Sequence, residues 1–272
     1  MIPVGFTYER PETLDAALAL LAEHGDDAKV LAGGHSLLPV MKLRLAAPEL
    51  VIDIGRLGEL RYTRVDGDEL AIGAGTRHHD LATSDVVAAE APLLGAVALT
   101  VGDPQVRHRG TLGGSLAHAD PASDLPAAVL ALGGAIVLRG PRGERKVPVE
   151  EFFTGLFSTA LEPDELVVEI RVPRTGSAGW AYEKFTRRAN DWAIVAVAVV
   201  DGRVGLVNMG STALRASATE AALASGASIP DAAALADQDT DPPSDLAATP
   251  AYRRHLARVL TRRALTTAAE AG

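Results

Sequence analysis

Two segments that each combine a Gly-Gly pair with short hydroxyl side chains constrain the fold of this chain most. Residues 32–36 read AGGHS, and residues 111–115 read TLGGS. Adjacent glycines permit positive φ and lack Cβ atoms, so successive backbone N–H groups can face one concavity and bind an anion. The first segment follows a predicted strand and precedes a predicted helix whose N-cap would be Ser36. Each segment predicts either an anion site or a tight turn.

Taken together, the two segments favour a single ligand with two linked phosphates. Neither matches the G-x-G-x-x-G fingerprint or the Walker A sequence, so a Rossmann or P-loop site is not indicated. A dinucleotide cofactor is the natural candidate. Asp124 fits this hypothesis because a carboxylate near such a loop can accept hydrogen bonds from ribose hydroxyls. The alternative role for Asp124 is to cap the helix predicted to start at Pro126.

The composition excludes several kinds of site. The chain has 272 residues, no cysteine and a formal net charge of −9. Without cysteine it cannot hold an iron–sulfur cluster, a thiolate zinc site or a disulfide. The negative charge disfavours binding to a nucleic-acid backbone. Five arginines near the carboxyl end have helical spacing, and we interpret them as a solvated or subunit-facing surface: Arg253, Arg254, Arg258, Arg262 and Arg263.

No segment predicts a membrane span. The longest apolar run, residues 193–200, is far shorter than the roughly 20 residues of a membrane-spanning helix and predicts a buried strand. The first residues lack the basic and apolar segments of a secretory signal. We therefore expect a cytoplasmic protein, with peripheral attachment at the inner membrane face left open.

Helix and strand patterns alternate along the chain and predict an α+β fold in three parts. Residues 1–55 alternate helix and strand, residues 56–174 add β-hairpins and helices, and residues 175–272 begin with strands and end with helices. The stretch 237–245, DQDTDPPSD, is typical of a linker.

Four segments, in this order along the chain, resemble one protein family. They are AGGHSLLPVMKLRLAAPELVIDI, GDPQVRHRGTLGGSLAHADPASDLPA, EKFTRRANDW and YRRHLARVLTRRAL. Together they are similar to the FAD-binding medium subunits of the molybdenum hydroxylases, the family of carbon monoxide dehydrogenase and xanthine dehydrogenase. The resemblance implies a PCMH-type FAD-binding fold. Two α/β subdomains (1–55 and 56–174) would precede a C-terminal domain with a three-stranded antiparallel sheet and a helical bundle.

The resemblance also implies which residues bind FAD. Both glycine segments would clasp the diphosphate, Asp124 would bind ribityl or ribose hydroxyls beside Ser123, and Val167 would contact the flavin through its backbone. Lys184 would lie near the isoalloxazine and raise its potential. No catalytic acid–base residue and no metal ligand is implied. The residues of the two segments are Leu31, Ala32, Gly33, Gly34, His35, Ser36, Leu37, Thr111, Gly113, Gly114 and Ser115.

Three positions depart from or qualify the family pattern. Trp192 stands where relatives often carry a tyrosine beside the flavin ring, and its alternative role is to fill the core. Ser115 stands where relatives often carry asparagine, and His35 is expected to make a polar contact through its backbone. Four other histidines show no metal-ligand pattern: His78, His79, His108 and His118. The side chains of the adjacent pair His78-His79 would point in different directions, so we expect this pair on the surface.

The function implied by the resemblance is electron transfer within a complex. A large subunit with a molybdenum cofactor and a small subunit with [2Fe–2S] clusters would deliver electrons to FAD on this chain. A quinone, NAD⁺ or oxygen would then accept them, and a dimer of heterotrimers is the expected assembly. Two alternatives stay open: a stand-alone FAD-dependent oxidase or reductase, and a non-catalytic scaffold with a degenerate flavin fold.

Overall fold

The computed structural model describes residues 2–272. At its amino-terminal end lies a parallel three-stranded sheet of order β1-β3-β2, formed by β1 (Thr7–Glu9), β2 (Ala28–Leu31) and β3 (Leu50–Asp53). Helix α1 (Leu14–His24) is capped by Thr13, whose side chain accepts a hydrogen bond from the Ala16 N–H. One leucine-rich face of this helix is buried against the sheet. The first glycine segment leaves the end of β2 and enters α2 (Leu37–Lys42).

The middle of the chain forms a five-stranded antiparallel sheet of order β4-β5-β10-β6-β7. The hairpins expected in this part of the chain are present in it: Thr63–Asp66 pairs with Glu69–Gly73, and Ala135–Gly140 pairs with Gly143–Pro148. Seven short helices lie between or beside its strands, and β8 pairs with β9 in a separate two-stranded ribbon. The elements are β4 (Thr63–Asp66), β5 (Glu69–Gly73), α3 (His78–Thr83), α4 (Asp85–Glu90), α5 (Pro92–Leu99), α6 (Pro104–Arg107), α7 (Leu112–His118), α8 (Asp124–Leu132), β6 (Ala135–Gly140), β7 (Gly143–Pro148), α9 (Val149–Phe152), β8 (Phe153–Gly155), β9 (Ser158–Thr159) and β10 (Leu166–Pro173).

The last part of the chain forms an antiparallel sheet of order β11-β12-β13-β14 followed by helices. Three strands were expected, and the two-residue strand β14 adds a fourth because Leu214 and Arg215 pair with β13. The elements are β11 (Trp180–Phe185), β12 (Val195–Val200), β13 (Arg203–Val207), β14 (Leu214–Arg215), α10 (Ser217–Ala224), α11 (Ile229–Ala233) and α12 (Pro250–Ala271).

Strand β12 explains the longest apolar run of the sequence. Its even-numbered residues face the core that contains α8, and its odd-numbered residues face the core that contains α12. A strand that is covered on both faces has no solvent side, so every position is apolar instead of every second one.

The arginine cluster near the carboxyl end lies only partly at the surface: Arg262 and Arg263 are exposed as expected, whereas Arg253 is not. Arg253 is fully buried and donates to Pro243 O at 3.0 Å, to Asp245 Oδ2 at 2.6 Å and to Ile194 O. Arg258 donates to Asp237 Oδ2 at 2.8 Å. The acidic linker therefore folds back onto α12 and supplies the partners that a buried guanidinium requires.

Among residues 2–272, no helix is both long and apolar enough to span a bilayer. The α+β fold agrees with the expectation from sequence, whereas the division of the chain at residues 55 and 174 stays a prediction.

Candidate cofactor site

A cavity of about 890 Å³ lies where residues of β2, β10 and β11 approach one another. Its volume is in the upper part of the range of roughly 300–1,000 Å³ that is usual for small-molecule sites. Every predicted cofactor residue except Leu31 lines it: Ala32, Gly33, Gly34, His35, Ser36, Leu37, Thr111, Gly113, Gly114, Ser115, Ser123, Asp124, Val167, Lys184 and Trp192. Leu31 points into a small apolar cluster with Met41 and Val51.

The two glycine segments meet at one wall of this cavity. We call residues 32–37 the first loop and residues 111–115 the second loop. A Cβ placed on Gly33 would collide with Arg109 O and lie 2.8 Å from Gly110 Cα, just ahead of the second loop. A Cβ placed on Gly114 would lie 3.9 Å from Ala32 Cβ. The loops therefore adjoin, although they are far apart in the sequence.

The first loop leaves its backbone donors free. Within residues 2–272, none of the N–H groups of residues 33–37 donates to a backbone carbonyl. Gly34 has a φ of 82°, in the left-handed region that favours glycine, and Ser36 makes no side-chain capping bond. Unpaired N–H groups are costly unless water or a ligand accepts from them, so this loop has the donors of an anion nest.

From Leu112 to Ser115 the second loop uses its backbone donors inside the protein, which contradicts the expectation of a second nest at these residues. Among residues 2–272, the Thr111 N–H donates to no backbone carbonyl. Thr111 caps α7 by accepting from the Gly114 N–H at 3.2 Å. The Gly113 N–H donates to Ala74 O at 2.9 Å, and the Ser115 N–H donates to Thr111 O at 3.0 Å. What residues 112–115 offer the cavity is the Ser115 hydroxyl.

Gly113 also has a packing role rather than a role in ligand access. A Cβ at this position would lie 2.5 Å from Ala74 Cβ and 2.8 Å from Ala74 O. The turn can pack on the end of β5 only without a side chain. The sequence analysis identified this glycine but expected it to bind the diphosphate.

Asp124 is the first residue of α8 and lies in a buried polar network. Its Oδ2 accepts from Lys184 Nζ at 2.7 Å, and its Oδ1 accepts from Tyr182 Oη at 2.5 Å. Lys184 Nζ also donates to Thr100 O at 3.2 Å. Burial raises the pKa of Asp124, while Lys184 and Tyr182 act in the opposite direction. The alternative role as a helix cap is not observed.

Tyr182 is a site residue that sequence reasoning missed. It lies two positions before Lys184 on β11, so the two side chains share a face of the strand. Burial raises the pKa of its phenol well above the usual value, so it stays protonated and donates to Asp124. The spacing of Tyr182 and Lys184 was the available signal, but it does not identify their shared partner.

Trp192 belongs to the cavity wall and not to the core. Its side chain is 61% exposed, which contradicts the core-filling alternative. The loop that carries it is closed by a hydrogen bond from the Ile194 N–H to Phe185 O at 2.8 Å. The Asn208 amide donates to Ala193 O at 2.9 Å. The segment just after Trp192 is therefore firmly anchored.

The expected surface placement is wrong for His78. It is 3% exposed, lines the cavity and lies with Nε2 at 3.3 Å from Ser115 Oγ. Burial is the main cause that lowers its pKa to about 4. His79 and His108 stack on each other with ring centroids 4.0 Å apart. In the described part of the chain, residues 2–272, no group of three or more His, Asp or Glu side chains could hold a metal ion.

Comparison with known proteins gives matches over nearly the whole chain. The family model described as "FAD binding domain in molybdopterin dehydrogenase" matches residues 4–175, and "CO dehydrogenase flavoprotein C-terminal domain" matches residues 180–268. The carbon monoxide dehydrogenase medium chain of Hydrogenophaga pseudoflava is 44% identical over 98% of both chains. The 6-hydroxypseudooxynicotine dehydrogenase complex subunit alpha of Paenarthrobacter nicotinovorans is 38% identical over 97% of this chain and 95% of its own length.

Solved structures agree with this assignment. A carbon monoxide dehydrogenase structure from Hydrogenophaga pseudoflava superposes with a TM-score of 0.96 at 46% identity and covers 99% of both chains. Quinoline 2-oxidoreductase from Pseudomonas putida 86 superposes with a TM-score of 0.92 at 31% identity, also over 99% of both chains. These matches confirm the resemblance drawn from the sequence motifs: the chain belongs to the FAD-binding medium subunits of the molybdenum hydroxylase family of oxidoreductases.

Proposed function

We propose that this chain is the FAD-binding electron-transfer subunit of a molybdenum hydroxylase complex. The observation that carries the proposal is the cavity wall where the free N–H groups of the first loop adjoin the second loop. Free backbone donors without neighbouring Cβ atoms suit the oxygens of a diphosphate. The donor set therefore fits FAD, and the size of the cavity fits a dinucleotide.

Different residues of the cavity wall would bind different parts of FAD. The N–H groups of residues 33–37 and the Ser115 hydroxyl would bind the diphosphate. Asp124 would accept hydrogen bonds from ribityl or ribose hydroxyls, because each carboxylate oxygen can accept a second bond beside those from Tyr182 and Lys184. Ser123 would lie beside it, and Val167 and Trp192 would contact the flavin.

Lys184 would act on the flavin as half of an ion pair. Its ammonium lies 2.7 Å from Asp124 Oδ2, and both side chains are buried. A paired lysine presents less net charge to a neighbouring ring than a free one does. We therefore propose that Lys184 orients Asp124 and raises the flavin potential less than an unpaired lysine would.

When bound, FAD would supply redox chemistry that accepts electrons from a partner and passes them to an external acceptor. This chain has no cysteine, so [2Fe–2S] clusters would have to reside on a partner, which we propose is a small subunit. We propose that the molybdenum cofactor resides on a large subunit. The proposed assembly is a dimer of heterotrimers, and a quinone, NAD⁺ or oxygen would be the acceptor. The names "medium chain" and "complex subunit alpha" of the relatives support partner subunits. A cytoplasmic location stays a prediction.

The substrate is proposed to be chosen by the large subunit. Relatives that match this chain over almost its full length are named for carbon monoxide, 6-hydroxypseudooxynicotine and caffeine dehydrogenases. The medium-subunit fold is shared among them while the substrates differ. This supports an electron-transfer role that is independent of the substrate.

The test is co-expression of this chain with the proteins encoded beside it, followed by size-exclusion chromatography and measurement of FAD per chain. We expect one FAD per chain in a complex that contains molybdenum and iron. Gly33→Ala should abolish FAD retention, while Gly58→Ala is the matched control because a Cβ there meets no atom within 4 Å. A lone chain that turns over with FAD would support a stand-alone enzyme, and a colourless chain or complex would support a scaffold. Either result contradicts the proposal.

A further inference from the structure

His78 supports the place where the two loops meet. Its ring is buried against Gly110, because a Cβ on Gly110 would lie 2.7 Å from ring atoms Cδ2 and Nε2. A Cβ on Gly33 would approach the same Gly110 from the first loop, at 2.8 Å from its Cα. The backbone N–H of His78 also donates to Gly110 O at 3.0 Å. One imidazole therefore lies behind both loops and also lines the cavity.

The hydrogen bonds of His78 are unequal. Nε2 lies 3.3 Å from Ser115 Oγ, whereas Nδ1 is buried without a partner among the residues that the structure describes. A neutral imidazole carries its proton on one nitrogen only. If Nδ1 carried it, a buried N–H donor would be orphaned, and orphaned N–H groups are the rarer kind of buried unpaired atom. The proton therefore belongs on Nε2, which donates to Ser115 Oγ.

The neutral form follows from the surroundings of the ring. Burial lowers the pKa of His78 to about 4, and the nearby His35 and Arg107 act in the same direction. The side chain is therefore an uncharged donor at neutral pH. The His78 side chain can orient its hydrogen-bond partner, and it adds no positive charge to the cavity.

We propose that His78 is a positioning residue that turns the Ser115 hydroxyl toward the diphosphate of the cofactor; this inference rests on the proposed function. When Ser115 Oγ accepts from Nε2–H, its own proton is directed away from His78. Both side chains line the cavity, so the free proton of Ser115 can donate to a phosphate oxygen. The second loop, whose N–H groups at residues 112–115 are already in use, would then bind the diphosphate through one oriented hydroxyl.

The first test measures affinity in the assembled complex after FAD is stripped and titrated back by quenching of its fluorescence. We expect Ser115→Ala and His78→Met each to weaken FAD binding about tenfold, the loss of one hydrogen bond to a charged group. The double variant should also lose about tenfold, because both changes remove the same oriented donor. Riboflavin, which lacks the diphosphate, should bind all variants equally.

Conservative variants separate positioning from packing. His78→Gln can place an amide donor near the position of Nε2 and should stay within about threefold of the parent, whereas His78→Asn is too short and should resemble His78→Met. Ser115→Asn carries its donor on a fixed amide, so it should restore affinity in the His78→Met background. Additive losses in the double variant, or equal losses for Gln and Asn, would overturn the proposal.

The second test reads the tautomer directly in the parent chain. Long-range ¹H–¹⁵N spectra should show His78 protonated at Nε2 and bare at Nδ1 at neutral pH, with or without FAD. A proton on Nδ1 would overturn the proposal even if FAD binds normally. If the parent complex binds no FAD, the proposed function fails, and the role of His78 toward a diphosphate fails with it.

Discussion

The two glycine loops resemble each other in sequence but differ in how they use their backbone. The first loop leaves the N–H groups of residues 33–37 without backbone acceptors. The second loop pairs the N–H groups of residues 112–115 with Thr76 O, Ala74 O, the Thr111 hydroxyl and Thr111 O. The glycine of each loop that packs most tightly meets protein and not ligand. Gly33 approaches the backbone of Arg109 and Gly110, and Gly113 approaches Ala74.

Two similar glycine motifs can therefore have different roles at one site. The second loop is the rigid side, because its first turn is capped and packed on β5. The first loop packs on the backbone that leads into the second loop, and its N–H groups stay available to a ligand in the cavity. If this division is correct, substitutions in the two loops should separate stability from FAD affinity.

Gly33→Ala should have the largest effect. The new Cβ would meet the backbone of Arg109 and Gly110, which cannot move aside as a side chain can. We expect a loss of about 3 kcal/mol in the free energy of unfolding, together with loss of FAD from the folded protein. Denaturant unfolding and FAD content measure the two effects. Gly58→Ala is the control, and a near-normal FAD content in Gly33→Ala would contradict the docking of the first loop.

Gly113→Ala should cost slightly less, about 2 kcal/mol, through overpacking against Ala74. Part of that clash is with a side chain, so adding Ala74→Gly should recover some of the loss. FAD affinity of the folded fraction should change little, since the N–H groups of residues 112–115 are already paired within the protein. A loss of affinity as large as that of Gly33→Ala would remove the distinction between the loops.

Gly34→Ala should be intermediate and should act through backbone strain. Its φ of 82° costs an L-residue about 1–2 kcal/mol, and the neighbouring Leu31 and Leu38 side chains can adjust. Gly34→Asn should lose about half as much, because asparagine tolerates the left-handed region better. Equal losses of stability for Gly34→Ala and Gly34→Asn would show that glycine is required here by contacts with neighbouring side chains and not by its positive φ.

Thr111→Val should have the smallest effect, about 1 kcal/mol, through loss of the cap on the Gly114 N–H. Thr111→Ser retains the hydroxyl and should restore stability. Thermal unfolding of the complex measures both. If the Thr111→Val variant were as stable as the parent protein, packing alone and not the cap would stabilise the second loop.

Much of the site could be predicted from the sequence, because the glycine loops lie beside elements with clear local signals. A short strand that runs into Gly-Gly and then a helix indicates where the donors face, and the family motifs identified the ligand. Which loop keeps its donors could not be predicted, since the acceptor Ala74 O lies just after β5, which is distant in the sequence.

The same physical reason accounts for the errors. His78 was expected at the surface because a His-His pair carries no burial signal, yet residues around Gly110 pack over its ring. Tyr182 was missed because its partner Asp124 lies 58 residues away along the chain. Arg253 looked solvated because helical spacing takes no account of a linker that folds back onto α12.

Hydrogen–deuterium exchange of the backbone amides in the complex, with and without FAD, tests the division between the loops most directly. The account predicts that amides 33–37 exchange rapidly without FAD and become protected when it binds, while amides 113–115 are protected in both states. Equal gains of protection in the two loops, or none at residues 33–37, would contradict it.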